Sequence, residues 1–357
     1  MPKQSYYEEQ NKAELFRLRE LLETIPPFTA EFFISLGQRN TSVKTRINYA
    51  YDLRLFFNYI LDNHPVLCTK TMKTLAVTDL DLIETMDIDL FLEHITLYQK
   101  ERPDSKYSYI NVQNGEKGRA RKLAAIRSMY KYFVRIQKIK TNPPSLIDTP
   151  KIHDKEIIRL EPNETADLLD EIETGNDLTE RQKLFHEKTK LRDLAIVTLM
   201  VGTGMRVSEC VGIDITDINF NLNGVKVTRK GGNETILYFG EEVREALLNY
   251  IEERKKIEPK QGSETALFLS TQKSRITTRA VQNLVKKYSS VSVQLKKITP
   301  HKLRSTYGTT LYNETGDIYL VADVLGHADV NTTKKHYARM EDSNRRKAAK
   351  FIKLRRE

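Results

Sequence analysis

Residues 190–209, KLRDLAIVTLMVGTGMRVSE, and residues 224–239, GVKVTRKGGNETILYF, decide the fold class. The first carries the longest apolar stretch of the chain, Leu194 to Gly202, which predicts a buried helix with a left-handed cap at Gly202. The run is about half of what a bilayer span needs. The second stretch alternates apolar and polar residues on either side of Gly231-Gly232, the pattern of a β-hairpin. ALFLS, 266–270, reads as a further short strand. The expected class is mainly α with a small antiparallel β-sheet in the second half.

Working outward, a helix is expected after Glu161-Pro162, then a polar insertion over 174–189, and several helices follow the hairpin to the C-terminus. Toward the N-terminus the pattern is helical throughout. Leu15, Leu18, Leu21 and Leu22 share a face of a charged helix over residues 1–25, which Pro26-Pro27 ends. A second helix starts near Asn40-Thr41 and turns Val43, Ile47, Tyr51, Phe56, Phe57 and Ile60 inward. A third runs from about Ile88 to Gln99. The fourth, over 115–140, is the most basic: Leu123, Ile126, Tyr130 and Phe133 form its buried stripe, while Arg119, Arg121, Lys122, Arg127, Lys131 and Arg135 project elsewhere. A proline-bearing stretch without sustained period, 143–160, reads as the linker. The expected domains are a helical extension (1–25), a helical DNA-binding domain (26–142), the linker, a catalytic domain (161–340) and a basic tail (341–357).

The 357 residues suit two domains at roughly 150 residues each. Hydrophobic content of 39% with 30% charged residues fits neither a membrane protein nor a wholly disordered one. Cys68 and Cys210 are too few for a disulfide framework or a structural zinc site. MPKQSYYEEQ has no apolar signal-peptide core, so a cytoplasmic protein is expected. A net charge of +10 and a pI near 9.3 point weakly to a polyanionic partner.

Four short motifs could carry chemistry. In TGMRVSE, Gly204 lets the backbone turn before Arg206, and Glu209 lies one helical turn on, where it can fix the guanidinium. Taken alone this is more often an ordinary helix-start salt bridge. In PHKLR, Pro300 suits a first helical turn, placing His301 and Arg304 one turn apart on one face. Such a pair can address two oxygens of a phosphate, or be a surface pair. In VTRKGG, Lys230 stands at the hairpin tip beside two glycines, the position of a solvated turn residue or of a lysine that enters a DNA groove. In LGHADVNTTKKHY, Gly326 caps one helix, His327 follows, and Asp329 or Asn331 can cap the next, which carries His336 and Tyr337. With 17 tyrosines in the chain, any single one is most often a packing residue.

The conjunction is specific where the parts are not. Arg206, Lys230, His301, Arg304, His327 and Tyr337 occur in the order that marks the tyrosine recombinase (phage integrase) family, and the chain resembles that family over essentially its whole length. VTRKGG, TALFLS, KKYS, ITPHKLR and VLGHA are most similar to the Xer-type members, in particular the XerS-like single-recombinase branch. Ser305 departs from it, standing where many relatives carry a second histidine.

The resemblance implies a two-domain C-shaped DNA clamp. It implies that Tyr337 attacks a DNA phosphodiester to give a 3′-phosphotyrosyl link, with Arg206, Arg304 and His327 stabilising the charge, His301 accepting the tyrosine proton or orienting the group, Lys230 protonating the 5′-oxygen and Glu209 supporting the site. Neither metal, other cofactor nor ATP is required. The implied partners are double-stranded DNA with an inverted-repeat site, sister protomers in a homo-tetramer on paired sites, and a DNA translocase of the division septum. The tail is expected to form a basic helix that docks on a neighbouring protomer. Lys44, Arg46, Arg119, Arg121, Lys122 and Arg127 are the candidate DNA contacts. Only about 25 residues precede Pro26-Pro27, too few for an arm-binding domain, which favours chromosome-dimer resolution over integration of a mobile element. The rivals are a type IB topoisomerase, an inactive DNA-binding relative and a metal-dependent nuclease. The last is disfavoured because the acidic pairs Asp79/Asp81 and Asp214/Asp217 have no matching histidine cluster.

Overall fold

The structure, a computed structural model, describes residues 6–101, 109–153, 158–229, 232–326 and 330. It is mainly helical with two small antiparallel sheets, and the chain divides into two compact units, residues 1–155 and 156–357. Among the described residues no helix is long and apolar enough to cross a membrane.

The first unit contains α1 (Tyr6–Leu22), α2 (Thr29–Gln38), α3 (Val43–Asn63), α4 (Thr85–His94), the hairpin β1 (Leu97–Glu101) and β2 (Tyr109–Gln113), and α5 (Glu116–Arg135). Its core gathers Leu53, Phe56, Phe57, Phe91, Ile126 and Phe133, with Phe56 and Phe91 edge to face at 5.3 Å between ring centres. α3 is capped by Ser42, whose hydroxyl accepts the Thr45 N–H, whereas Asn40 takes a left-handed φ of 55°. The helix expected to reach Gln99 stops at His94. Asn114 donates through its side chain to the Ile95 carbonyl and through its backbone to that of Thr96, and Leu97–Glu101 then pairs with Tyr109–Gln113.

α5 buries Leu123, Ile126, Tyr130 and Phe133 as its spacing predicts, but it buries Lys122 as well. The reason is Asp52 on α3, 2% exposed, which pairs with Arg121 and lies 3.9 Å from the Lys122 ammonium. The first part of the expected linker is docked on the same helix. Arg127 donates to the carbonyls of Pro144 and Ile147 and to the Thr149 hydroxyl, and Pro143, Pro144 and Ile147 are buried.

The second unit contains α6 (Pro162–Thr174), α7 (Glu180–Thr203), α8 (Val207–Gly212), β3 (Ile218–Asn219), β4 (Gly224–Thr228), β5 (Glu234–Tyr238), α9 (Glu241–Lys255), α10 (Thr278–Ser292), α11 (Pro300–Thr315) and α12 (Ile318–Leu325). The sheet is antiparallel in the order β3-β4-β5, with Thr228 opposite Glu234 at the hairpin tip. α7 is the central helix, packed against α6, α9 and α11. The expected polar insertion is largely its N-terminal half: a capping box between Thr179 and Gln182 starts the helix at Glu180.

Two further expectations are corrected. α7 does not end at Gly202. A Cβ there would meet Val243 Cγ2 at 2.5 Å, so Gly202 serves the close approach of α9, and Gly204, at φ 64°, is the left-handed cap. ALFLS is not a strand and forms only isolated bridges. Three of its carbonyls are satisfied by side chains instead: Arg254 serves Ala266, Tyr250 serves Leu267 and Arg192 serves Leu269, while Phe268 accepts the Ile276 N–H.

Burial pushes the Asp52 carboxyl up from its ordinary 3.8 to about 6, although Arg121 and Lys122 oppose the shift. The folded protein therefore holds that proton more tightly than the unfolded chain, and the stability this gives falls as pH rises between the two values. At ~1.4 kcal/mol per unit the loss is at most about 3 kcal/mol. Asp81 and Glu164, whose carboxyls are held down by hydrogen bonds and cations, act in the opposite sense and mainly at lower pH. Urea denaturation from about pH 4.5 to about pH 6.5 is expected to show a fall in stability that Asp52→Asn removes; an unchanged slope in the variant contradicts the assignment.

Candidate active site

The site begins where α7 ends. Gly204 reverses the chain into Arg206, the N-cap residue of α8, and Glu209 sits in the first turn of that helix. The Glu209 carboxylate, 3% exposed, accepts the Arg206 backbone N–H at 2.8 Å with one oxygen and Nη1 of the same arginine at 2.8 Å with the other. Both ends of Arg206 are thus fixed by one buried anion, while its side chain remains about a third exposed. α11 opens at Pro300 and places His301 and Arg304 one turn apart. The two differ in depth: His301 is exposed and Arg304 is buried.

Arg304 donates through Nη1 to the Gly204 carbonyl at 2.7 Å and through Nη2 to the carbonyl of Leu325. It therefore ties the turn before Arg206 to the end of α12. Arg206 Nη2 reaches the next carbonyl, Gly326, at 3.3 Å. A third guanidinium joins them from the hairpin: Arg229 donates to Val324 at 2.8 Å and to Asp323 at 3.3 Å. Consecutive carbonyls from Asp323 to Gly326 are held in this way. They lie at the helix C-terminus, where carbonyls run out of helical partners and carry its partial negative charge; Asp323 also accepts the N–H of the cap, from Gly326.

The arginines need room, and two glycines give it. Gly204 sits against Tyr307, whose Cδ1 would lie 2.4 Å from an added Cβ, and Gly326, at φ 62°, sits under the Arg229 head. Arg229 was not singled out by the sequence, because its partners lie more than ninety positions away. Lys230, His327 and Tyr337, like Asp329 and the basic tail, lie outside the described residues. Of the predicted site residues the structure brings together Arg206, Glu209 and Arg304, with His301 on the same helix as Arg304.

The candidate DNA contacts of the first unit are more engaged than their exposure on a basic helix suggested. Arg121, Lys122 and Arg127 are bound as above, and Lys122 also donates to Asn114 at 2.7 Å. Lys44 pairs with Glu14 at 3.2 Å. Arg119 reaches the Thr96 hydroxyl at 3.5 Å, and its Nε, like that of Arg46, is buried without a hydrogen-bond partner. A surface cleft of about 430 Å³ gathers Arg127 with Arg39, Lys131 and Arg135. Arg39 could not be found from the pattern, since it belongs to the turn after α2. The acidic pairs are structural: Asp79 holds Lys70, Asp81 caps the backbone at Lys140 and Thr141, Asp214 pairs with Arg275, and Asp217 accepts the Asp214 N–H. No group of metal-ligating side chains occurs among the described residues.

The phage integrase family profile matches residues 159–344. The chain is 31% identical over 348 residues to tyrosine recombinase XerS of Streptococcus agalactiae, with 89% of this chain and 93% of that protein aligned. Among solved structures it is similar to XerH site-specific recombinase bound to palindromic difH substrate in a post-cleavage complex (TM-score 0.64, 17% identity, 95% of this chain and 88% of that one). It is also similar to a lambda integrase tetramer bound to a Holliday junction (TM-score 0.58, 16% identity, 87% and 76%).

Gly204→Ala should cost about 2–4 kcal/mol in urea denaturation, from the left-handed φ and the overlap with Tyr307. A loss below about 0.5 kcal/mol, the range of a neutral surface change, would show that the turn does not need glycine.

Proposed function

This chain belongs to the phage integrase family, and from that premise we propose a role for each residue of its site. The protein is a site-specific tyrosine recombinase, a DNA strand-transferring enzyme. In the proposed reaction the Tyr337 phenolate attacks the phosphorus of a DNA phosphodiester. The new P–O bond forms as the bond to the 5′-oxygen breaks, leaving a 3′-phosphotyrosyl link and a 5′-hydroxyl. A phenol with a pKa of about 10 must lose its proton in the site, and His301, exposed at the first turn of α11, accepts it. Lys230 gives a proton to the departing oxygen. Rejoining is the same sequence reversed with a 5′-hydroxyl of the partner strand, and the stored phosphodiester makes ATP unnecessary.

What carries this reading is the convergence of Arg206 and Arg304 on adjacent carbonyls of the α12 terminus, one residue before His327. The pentacoordinate transition state gains negative charge on its non-bridging oxygens, and donors already fixed in place need no reorganisation to meet it. Arg206, held at its backbone and its head by Glu209 yet part-exposed, is suited to face the phosphate. Each such donor is typically worth roughly 3–4 kcal/mol of barrier, or about 10²–10³ in rate.

The substrate we propose is duplex DNA carrying an inverted-repeat site, worked on by a tetramer that pairs two sites. The solved relatives on difH substrate and on a Holliday junction support both. The near full-length match to XerS supports chromosome-dimer resolution at a dif-like site in the cytoplasm, coupled to a DNA translocase at the division septum. The cleft of Arg39, Arg127, Lys131 and Arg135 is proposed to follow the DNA backbone, which makes binding fall with added salt.

The test is covalent trapping. The protein is incubated in EDTA with nicked fragments of its source genome, denatured, and the attached DNA sequenced. Wild type is expected to form adducts at one locus near the replication terminus, and Tyr337→Phe to bind DNA but form none. Adducts from Tyr337→Phe, or a strict requirement for divalent metal, contradict the mechanism. Adducts at the ends of a mobile element would replace the chromosomal role with integration.

A further inference from the structure

Arg229 does not resemble the other two arginines of the α12 terminus in what it connects. Arg206 and Arg304 join helices of one packed body, whereas Arg229 leaves the end of β4 and carries the tip of a two-stranded hairpin to α12. Its backbone is fixed on both sides of the turn: its N–H donates to Asn233 at 2.7 Å and its carbonyl accepts the Gly232 N–H at 3.0 Å. Its guanidinium spans two carbonyls, Asp323 and Val324, and covers Gly326 so closely that a Cβ there would lie 1.9 Å from Nη1. The head is spent on protein carbonyls, so it is poorly placed to serve as a phosphate ligand. The next residue in the sequence is Lys230.

We infer that Arg229 is a positioning residue for proton transfer: by fastening the β4–β5 turn to the C-terminus of α12, it sets where Lys230 meets the departing 5′-oxygen. The inference rests on the proposed role of Lys230 as proton donor. Losing Arg229 leaves α12 anchored by Arg206 and Arg304, so the charge-stabilising part of the site persists while the link from the end of β4 to α12 is lost. The defect is therefore confined to the proton. Two bonds from one planar head also explain why arginine suits the position better than lysine, whose point charge reaches one carbonyl well.

The experiment compares two versions of the nicked inverted-repeat duplex recovered by covalent trapping. One has the ordinary bridging 5′-oxygen at the scissile phosphate and the other a bridging 5′-sulfur, whose thiolate leaves without a proton. Single-turnover adduct formation is measured for wild type, Arg229→Ala, Arg229→Gln, Arg229→Lys and Lys230→Ala, with thermal denaturation of each. Arg229→Ala should be slower by about 10- to 100-fold on the oxygen substrate and within about 3-fold of wild type on the sulfur substrate, with Arg229→Lys in between. If Arg229→Ala does not fold, Arg229→Gln, which keeps one donor, is read in the same way. Equal losses on both substrates for the folded variants overturn the inference, because they mean a general disturbance of the site. Rescue of Lys230→Ala by sulfur without rescue of Arg229→Ala overturns the positioning role alone. Failure of sulfur to rescue Lys230→Ala overturns the underlying assignment of the proton donor.

Discussion

The carbonyl end of α12 is the constraint on which the site depends. A helix end leaves several carbonyl oxygens short of helical partners, and here three guanidiniums answer them. Each charged hydrogen bond of this kind is worth about 1.5–3 kcal/mol, and leaving a buried partner empty costs a similar amount. The arrangement therefore draws the α7–α8 turn, the first turns of α11 and the end of β4 to one place. Residues distant in sequence meet there because each element supplies one arginine to one short run of backbone. The glycines at 204 and 326 follow from the same demand, since any side chain would occupy the space of Tyr307 or Arg229.

This geometry separates two tasks that the order of motifs alone cannot. Arg304 is buried and spans Gly204 and Leu325, so it builds the site as much as it serves it. Arg206 is braced from beneath by Glu209 and keeps part of its head open, the disposition needed for an anion to approach. A preorganised donor of this sort gains its effect before substrate arrives, and in the proposed reaction the anion it meets is the phosphate of a DNA strand.

Much of this was legible in the sequence where the relevant interactions are local. The Arg206–Glu209 pair is a capping box at one-turn spacing, and the hairpin is marked by alternation around two glycines. The misreadings came from distant partners. Nothing near Lys122 announces Asp52, and nothing near ALFLS announces the side chains of Arg254, Tyr250 and Arg192 that replace a neighbouring strand. The helix drawn to Gln99 ignored Asn114, which terminates it from across a hairpin. Spacing put His301 and Arg304 on one helix turn correctly but could not say that one is exposed and the other buried, because depth is set by α12 and not by α11. Arg229 was invisible for the same reason.

In the proposed reaction Arg206 and Arg304 neutralise charge on the scissile phosphate. The most direct test replaces a non-bridging oxygen of that phosphate by methyl, which removes the charge while keeping the shape. Arg206→Ala should lose about 10²–10³ in cleavage rate on the ordinary phosphodiester and recover most of it on the methylphosphonate. The same deficit on both substrates would mean that Arg206 holds the site together without acting on phosphate charge, and the account would fail at its base.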